Sequence, residues 1–510
     1  MMKLPIGIQT FSKIREDDYV YIDKTKEALE LIEQYQYIFL SRPRRFGKSL
    51  FLDTLKSIFE GNKEYFRGLY IEDRYDFNQK FPVIHISFAG NLSTKEGIDG
   101  VFNYILKKNI EALKVNIDND LDIPNKLSEL IQKTYEKYNQ KVVVLVDEYD
   151  KPILDNITEP IMREYANKSL KAFYEILKRS DKYLKFVFLT GVSKFSKVSI
   201  FSGLNNLKDI SLEEKFGNIC GYTHEDIETN FNPLLQGVDL EKLKEWYNGY
   251  YFLKDKVYNP FDILLFISEN FTYKNYWFET GNPSFLIELI KKNNYYLPNL
   301  ENIVVGEEIL NSFDVENINL ETLLFQTGYL TIKKRFEKRN KIKFSLKIPN
   351  LEVKVSLNSA VLNKLVSNIS QKEKNQDDAY DSLFDAKLED FKTSLISLFA
   401  SLPYQNYVKN NINIYEGFYA SVIYSYLASL GFPISVEEST NMGRLDMSLL
   451  VNNHRYIFEF KVGNENALSQ IKYNRYYEKF ISENSDIYLV GINFDEEKKN
   501  IRSFEWEKFR

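Results

Sequence analysis

The chain has 510 residues, 44% hydrophobic and 27% charged, which excludes a disordered or fibrous protein and is too long for one ordinary core. A formal net charge of −5 argues against a uniformly basic nucleic-acid binder while leaving room for a local basic groove. A single cysteine, Cys220, excludes an internal disulfide and a cysteine-based zinc cluster.

The N-terminus, MMKLPIGIQTF, has no apolar signal-type core, and no later run approaches about 18 uninterrupted apolar residues. A soluble, cytoplasmic protein with no membrane partner is expected. Residues 1–220 alternate short apolar runs with helical stretches, the pattern of an α/β domain with a parallel sheet. The runs are YIFLS (37–41), FPVIHISF (81–88), KVVVLVD (141–147) and KFVFLTG (185–191).

YIFLS leads into RPRRFGKS, and KSLFLDTLKSIF then carries Leu50, Leu52, Leu55, Ile58 and Phe59 at helical spacing. Strand, loop, Gly-Lys-Ser and helix form the context a phosphate-binding loop requires. The usual pattern has a glycine five places before Gly47, where this chain has Arg42. Backbone amides at a helix N-terminus bind phosphate whatever the side chain. Arg44, Arg45, Phe46, Gly47, Lys48, Ser49 and Leu50 are therefore candidates to hold ATP, Lys48 reaching the β/γ oxygens and Ser49 ligating Mg²⁺. A basic turn that happens to contain Gly-Lys-Ser is the alternative.

About a hundred residues later, KVVVLVDEYDKP is an apolar strand ending in two acids. Asp147 would hold Mg²⁺ through water and Glu148 would polarise the attacking water. Alone, the pair reads equally as a helix cap; with the Gly-Lys-Ser loop it points to a nucleotide site. The extra strand and the acid beside the Mg²⁺ aspartate point to the additional-strand ATPases rather than kinase-like or GTPase-like folds. Thr190, ending the next strand, would then sense the γ-phosphate, with a turn cap as its alternative.

LPIGIQTFSKIREDDYVYIDKT, RPRRFGKS, VDEYDKP, LTGVSKFSKVSIFSGLNNL and WYNGYYF together resemble the AAA-ATPase-like proteins of bacteria, a branch close to the signal-transducing P-loop ATPases. The resemblance implies that the arginine-flanked loop is a working variant. Asp23 and Lys24 share it without a derivable role, a salt-bridged strand end being the alternative. Residues 221–345 read as mostly helical, a lid with a possible winged-helix part. In FETGNPSFLIELI, Asn282 and Pro283 read as a helix start, and Gly281 with Pro283 resembles a turn that closes over nucleotide in related switch ATPases. Residues 346–403 read as a connecting region, in which NISQKEKNQDDAYD (368–381) is either linker or exposed helix start.

Residues 404–510 form a second alternating region. MGRLDMSLLVNNHRYIFEFKVG (442–463) reads as a hairpin turning at Asn452-Asn453, so opposed residues have numbers summing to 905 and Asp446 faces Glu459. Lys461, two residues on, shares their face. Two acids and a lysine on one face form the metal-site pattern of D…E-x-K nucleases: Asp446 and Glu459 for Mg²⁺, Lys461 for the attacking water. A cross-strand surface network is the alternative. Helix, hairpin, helix and strand resemble the PD-(D/E)XK nuclease superfamily. That resemblance implies Gln470 as the helix glutamine and Glu416 as an upstream acid and further metal ligand; Lys472 and Tyr473 lie on the helix of Gln470. This region carries 12 Lys/Arg and 14 Asp/Glu, so DNA affinity is not evident from its charge. His85, His224 and His454 are assigned no chemistry, and His454 is expected to be exposed.

The expected architecture is a multidomain α/β protein: a P-loop additional-strand ATPase, a helical lid and a PD-(D/E)XK-like domain. The expected function is ATP-gated, Mg²⁺-dependent cleavage of nucleic acid, DNA first, in a chain that could form homo-oligomers. The alternatives are a signalling scaffold whose nuclease fold only binds, and a DNA translocase.

Overall fold

A computed structural model describes residues 2–194, 206–279, 284–292, 295–311, 319–366, 368–402, 416–440 and 442–510. The chain forms two compact units, Met1–Thr280 with Val304–Ser345, and Gly281–Ile303 with Leu346–Arg510.

The first unit is built on a five-stranded sheet of β1 (Tyr37–Ser41), β2 (Val83–Ser87), β3 (Val142–Asp147), β4 (Leu184–Gly191) and β5 (Lys208–Asp209), ordered β2-β3-β4-β1-β5. Every pairing is parallel, and β4 lies between the strand feeding the phosphate loop and the strand ending in Asp147. β1 and β3 are buried along their whole length, as continuous apolar strands of a parallel sheet must be. The pairing sets Leu40 opposite Thr190 and Ser87 opposite Asp147, so both motif-bearing strands end at one edge of the sheet. Ligand sites of open α/β sheets form at that carboxyl edge.

The stretch 221–345 contains more strand than its sequence suggests. Helices His224–Asn230, Leu240–Tyr247 and Pro260–Ser268 enclose a core that includes Phe231, Tyr247, Tyr258 and Phe266. Strands β6 (Tyr222–Thr223), β7 (Asn248–Tyr251) and β8 (Lys256–Tyr258) form a small sheet in the order β6-β8-β7. Strands β9 (Ile303–Gly306), β10 (Thr331–Lys338) and β11 (Lys341–Lys347) form another, ordered β10-β11-β9. β10 and β11 turn at Arg339 and Asn340, both left-handed (φ 55 and 56), as a two-residue hairpin turn requires. Charged residues at successive positions hide the apolar alternation that would have announced these strands.

Asp23 and Lys24 sit ahead of helix Thr25–Gln34 rather than at a strand end. Asp23 Oδ1 accepts from the Thr25 amide (2.8 Å) and hydroxyl (2.7 Å), and Lys24 pairs with Asp226 at 2.9 Å.

The second unit holds a mixed sheet of β12 (Ile434–Ser439), β13 (Arg444–Val451), β14 (His454–Val462), β15 (Asp486–Asp495) and β16 (Asn500–Lys508), in that spatial order. Only β14–β15 is parallel, and its crossover contains helix Ala467–Tyr473. Helix Glu416–Ser429 is buried almost all round, consistent with its run of Tyr, Val, Ile and Leu. Of the two readings of 368–381, the structure takes the helix: Ile369–Phe384 buries Ala379 and Leu383. Among the described residues, no helix is long and apolar enough to cross a membrane.

Candidate functional site

The loop after β1 answers why arginine stands where a glycine is usual. Arg42 is buried, donating through Nη1 to the carbonyls of Ser41 (2.9 Å) and Ser211 (2.7 Å) and through Nη2 to Phe216 (3.2 Å). Its guanidinium lies 4.0 Å from the Phe252 ring centroid, and burial pushes its pKa down to about 10. It fastens the loop to the segments following β5. Pro43 packs on Gly328, where a Cβ would come within 2.8 Å of the proline Cβ.

Arg44 and Arg45 are exposed, and Arg45 lies over Phe261 at 4.6 Å. Phe46 is buried against Tyr250 and Phe252, so it positions the loop from beneath. Gly47 takes a left-handed φ of 89 at the start of helix Lys48–Phe59. Nothing lies within 4 Å of the place where a Cβ would stand, so conformation rather than space demands glycine. Lys48 is buried and donates to the carbonyls of Arg42 (3.0 Å) and Pro43 (2.9 Å). Burial lowers its pKa, opposed first by Asp147. Ser49 and Leu50, in the first turn, are partly exposed.

Across the sheet edge, Asp147 is buried at the end of β3, and its Oδ1 accepts the Glu148 amide at 3.0 Å. Glu148 is left-handed (φ 51) and exposed as a residue; partial burial of its carboxyl, then Asp147, raises its pKa. Thr190 is buried, and its hydroxyl has no hydrogen-bond partner among the described residues. Asn282, Gly281 and Pro283 lie outside the described residues.

In the second unit the β13–β14 ladder pairs Met447 with Phe458 and Val451 with His454, each pair summing to 905, about left-handed Asn452 and Asn453 (φ 44 and 65). Asp446 follows at the open end, where its Oδ2 accepts the Phe460 amide at 2.8 Å. Glu459 is 1% exposed; its Oε1 accepts from Gln470 Nε2, while Oε2 has no partner among the described residues. Lys461 Nζ lies 3.5 Å from both Glu459 Oε1 and Glu416 Oε2.

Burial raises the pKa of both acids, Glu459 furthest because Asp446 stands beside it; Lys461 opposes both shifts. For Lys461 burial alone would lower the pKa, but Glu416, Glu459 and Asp446 together raise it. Thus Asp446, Glu459, Lys461, Gln470 and Glu416 come together. Lys472 instead pairs with Glu507, and Tyr473 is 81% exposed. His454 is not the exposed residue expected: it is half-buried between Tyr456 and Tyr488, 3.4 Å from Asp486. His85 and His224 join neither site; His224 meets the Tyr258 hydroxyl at 2.9 Å.

Residues 5–201 match the family model described as a predicted AAA-ATPase, and residues 414–504 match that of the PD-(D/E)XK nuclease superfamily. A relative from Azotobacter chroococcum mcd 1, described as an uncharacterized protein in the vnfD 5′ region, is 43% identical over 508 residues, 98% of each chain. The chain belongs to the AAA-ATPase-like family.

Several residues of this AAA-ATPase-like protein escaped sequence reasoning. In β12 the register with β13 runs unbroken from Ile434 opposite Leu449 to Ser439 opposite Arg444, which sets Glu437, left-handed at φ 51, opposite Asp446. Glu437 thereby joins the charges acting on Asp446, and it pairs with Arg444 at 2.8 Å. The two adjacent acids in ISVEES break the strand's alternation and were the available signal. Tyr296 also reaches this cluster: burial, then Glu437 and Asp446, raises its pKa. No local sequence pattern marks it. In the first unit, Asp150 is buried and its Oδ2 accepts the Ser193 amide and hydroxyl (2.6 Å each) and the Val192 amide (3.0 Å). It holds the turn after β4.

The donor sets suit the cations that the families imply. Among the described residues no three carboxylate, imidazole or thiol groups converge closely enough to enclose a metal unaided. Magnesium does not need that: it keeps water and phosphate oxygens in its shell and takes one or two carboxylates. Asp446 and Glu459, with a buried oxygen unpartnered, offer that pair.

Proposed function

We propose that this protein binds and hydrolyses ATP with Mg²⁺ in its first unit and cleaves nucleic acid, DNA foremost, with Mg²⁺ in its second, the nucleotide state governing cleavage. The observation that carries the reading is the buried Asp446–Glu459–Lys461 cluster with an orphaned Glu459 oxygen, in a chain that also presents Gly-Lys-Ser opposite a strand-end Asp-Glu pair.

When bound, a divalent cation at Asp446 and Glu459 would polarise a phosphoryl oxygen and acidify a water. Gln470 fixes the Glu459 carboxylate by donating to Oε1, while the buried Oε2 has no partner among the described residues. Lys461, kept cationic by three acids, supplies positive charge where negative charge develops on the phosphoryl group. In the first unit, Lys48 and the amides of 44–49 would hold the phosphates, Ser49 and Asp147 the cation, and Glu148 the water. Thr190, with its unpartnered hydroxyl, suits a γ-phosphate contact. Two of the three N–H donors of Lys48 are taken by the Arg42 and Pro43 carbonyls, which hold the ammonium at the loop and leave a third donor for a phosphate oxygen.

The test is cleavage of labelled duplex DNA by wild type, Asp446→Ala and Lys48→Ala, with Mg²⁺ or EDTA, with and without ATP. The reading expects Mg²⁺-dependent cleavage that Asp446→Ala abolishes and whose ATP response Lys48→Ala removes. Cleavage that persists in Asp446→Ala overturns the nuclease assignment; ATP binding unchanged in Lys48→Ala overturns the nucleotide assignment.

A further inference from the structure

The β10–β11 hairpin is charged unlike the rest of the molecule. From Thr331 to Lys347 it carries eight Lys/Arg and one acid, Glu337, in a chain whose formal net charge is −5. Lys333, Lys334, Arg335, Lys338, Arg339 and Lys341 are all exposed. Among the described residues, none of these six makes an ion pair or a side-chain hydrogen bond. Lysines on the helices commonly find a carboxylate three or four residues away, as Lys56, Lys107 and Lys151 do.

The hairpin's root is fixed while its tip is free. Ile332, Phe344 and Leu346 are buried, and Thr331 Oγ1 accepts the Tyr251 amide at 2.8 Å. Just before it, helix Leu320–Thr327 ends at left-handed Gly328, packed on Pro43. At the tip, a two-residue turn sets Lys338 opposite Lys341, and like charges directly opposed in a ladder destabilise it. Such repulsion is relieved when a polyanion binds.

We propose that this hairpin is a docking element for duplex DNA, entering a groove and contacting phosphates on both sides. The distribution of charge selects the partner. Successive strand residues point to opposite faces, so Lys333 and Arg335 lie on one face and Lys334 and Lys338 on the other. A flat anionic membrane or an acidic protein surface could engage one face; a groove walled by two phosphate backbones engages both. β9 has 4 residues against the 7 of β11 beside it, so part of the hairpin is two-stranded. A two-stranded ribbon fits the major groove of B-form DNA, about 12 Å wide, whereas the major groove of duplex RNA is too narrow to admit it. The element shares no residue with the Asp446 cluster and needs no metal, so it stands or falls apart from the cleavage chemistry.

The experiment is fluorescence anisotropy of a short labelled DNA duplex with the full-length protein in EDTA, over a salt series. The proteins are wild type, Lys334→Glu/Lys338→Glu/Arg339→Glu, the same three changed to Ala, and Lys107→Ala as a control. The hairpin variants should bind about ten-fold or more weakly, with the log–log salt slope shallower by about 0.9 for each phosphate that the hairpin no longer neutralises. Lys107→Ala, an exposed lysine on a helix outside both sites, should bind as wild type does, which separates the hairpin from a general loss of surface charge. If charge reversal prevents folding, judged by circular dichroism, the alanine variant decides. Unchanged affinity and slope in a folded hairpin variant would overturn the proposal. So would equal competition by duplex RNA, or equally tight binding to phosphatidylserine–phosphatidylcholine vesicles.

Discussion

At the scale of single residues, both sites rest on charged groups in places that are unfavourable until a ligand arrives. Glu459 is the clearest case. A glutamate in the unfolded chain loses its proton near pH 4.5, while burial and then Asp446 push Glu459 up to about 8. Between those values the native state binds more protons than the unfolded state, so stability falls as pH rises. Without metal, the second unit should therefore lose stability from about pH 5 to pH 8, on the order of a few kcal/mol at most. Mg²⁺ should restore it at the alkaline end, and Glu459→Gln should flatten the slope while abolishing cleavage. Thermal melts across pH, in EDTA and in Mg²⁺, check this; a metal-free melting point that rises steadily toward pH 8 contradicts it. Arg42 makes the complementary case in the first unit. Arg42→Met keeps the volume but leaves the Ser211 and Phe216 carbonyls without their buried donor. It should destabilise the first unit by about 1–3 kcal/mol and weaken ATP binding through a loosened loop. Equal denaturation midpoints for wild type and Arg42→Met would show that the guanidinium does not fasten the loop.

At the scale of elements, geometry delivers the side chains, and one glycine shows how tightly. Gly491 in β15 lies under helix Ala467–Tyr473, where a Cβ would collide with the Leu468 backbone. Backbone cannot step aside as a flexible side chain can. Gly491→Ala should lift the helix, cost about 1–3 kcal/mol, and draw Gln470 away from Glu459, reducing cleavage beyond any loss of folded protein. Activity per folded molecule, normalised by circular dichroism, checks it; an unchanged rate would mean that Gln470 does not depend on this packing. The turn at Asn452-Asn453 sets the register from the other end, because a slip of one residue would move Asp446 to the opposite face. That register was legible in the sequence, since a polar pair between alternating strands admits one common turn. The four main strands of the first sheet were legible for the same kind of reason: continuous apolar runs bounded by turn residues. The placement of Glu437 opposite Asp446 was not, because no turn pair in the sequence fixes the register of β12 against β13. The role of Arg42 was not either, since its partners, Ser211 and Phe216, are more than 160 residues away in the chain. The basic hairpin stayed hidden because charge masked its alternation.

At the scale of the whole molecule, the two compact units have separate cores and separate candidate ligands. The first is centred on an all-parallel sheet whose β1 and β3 are wholly buried, the second on a mixed sheet around β14 and β15. A ligand stabilises only the cooperative unit that binds it, by RT ln(1 + [L]/Kd), about 2.7 kcal/mol at a hundred-fold excess over Kd. Scanning calorimetry should therefore resolve two transitions that respond to different ligands. ATP with Mg²⁺ should raise the transition of the first unit in wild type and not in Lys48→Ala. Mg²⁺ alone should raise that of the second in wild type and not in Asp446→Ala. Each variant should leave the other unit's response intact, because Lys48 and Asp446 share no partners and each bonds within its own unit. A single transition that both ligands move, and that either variant blunts for both, would show that the units fold as one. In that case nucleotide control of cleavage would be built into the folding cooperativity itself rather than into a signal passed between two separately stable parts.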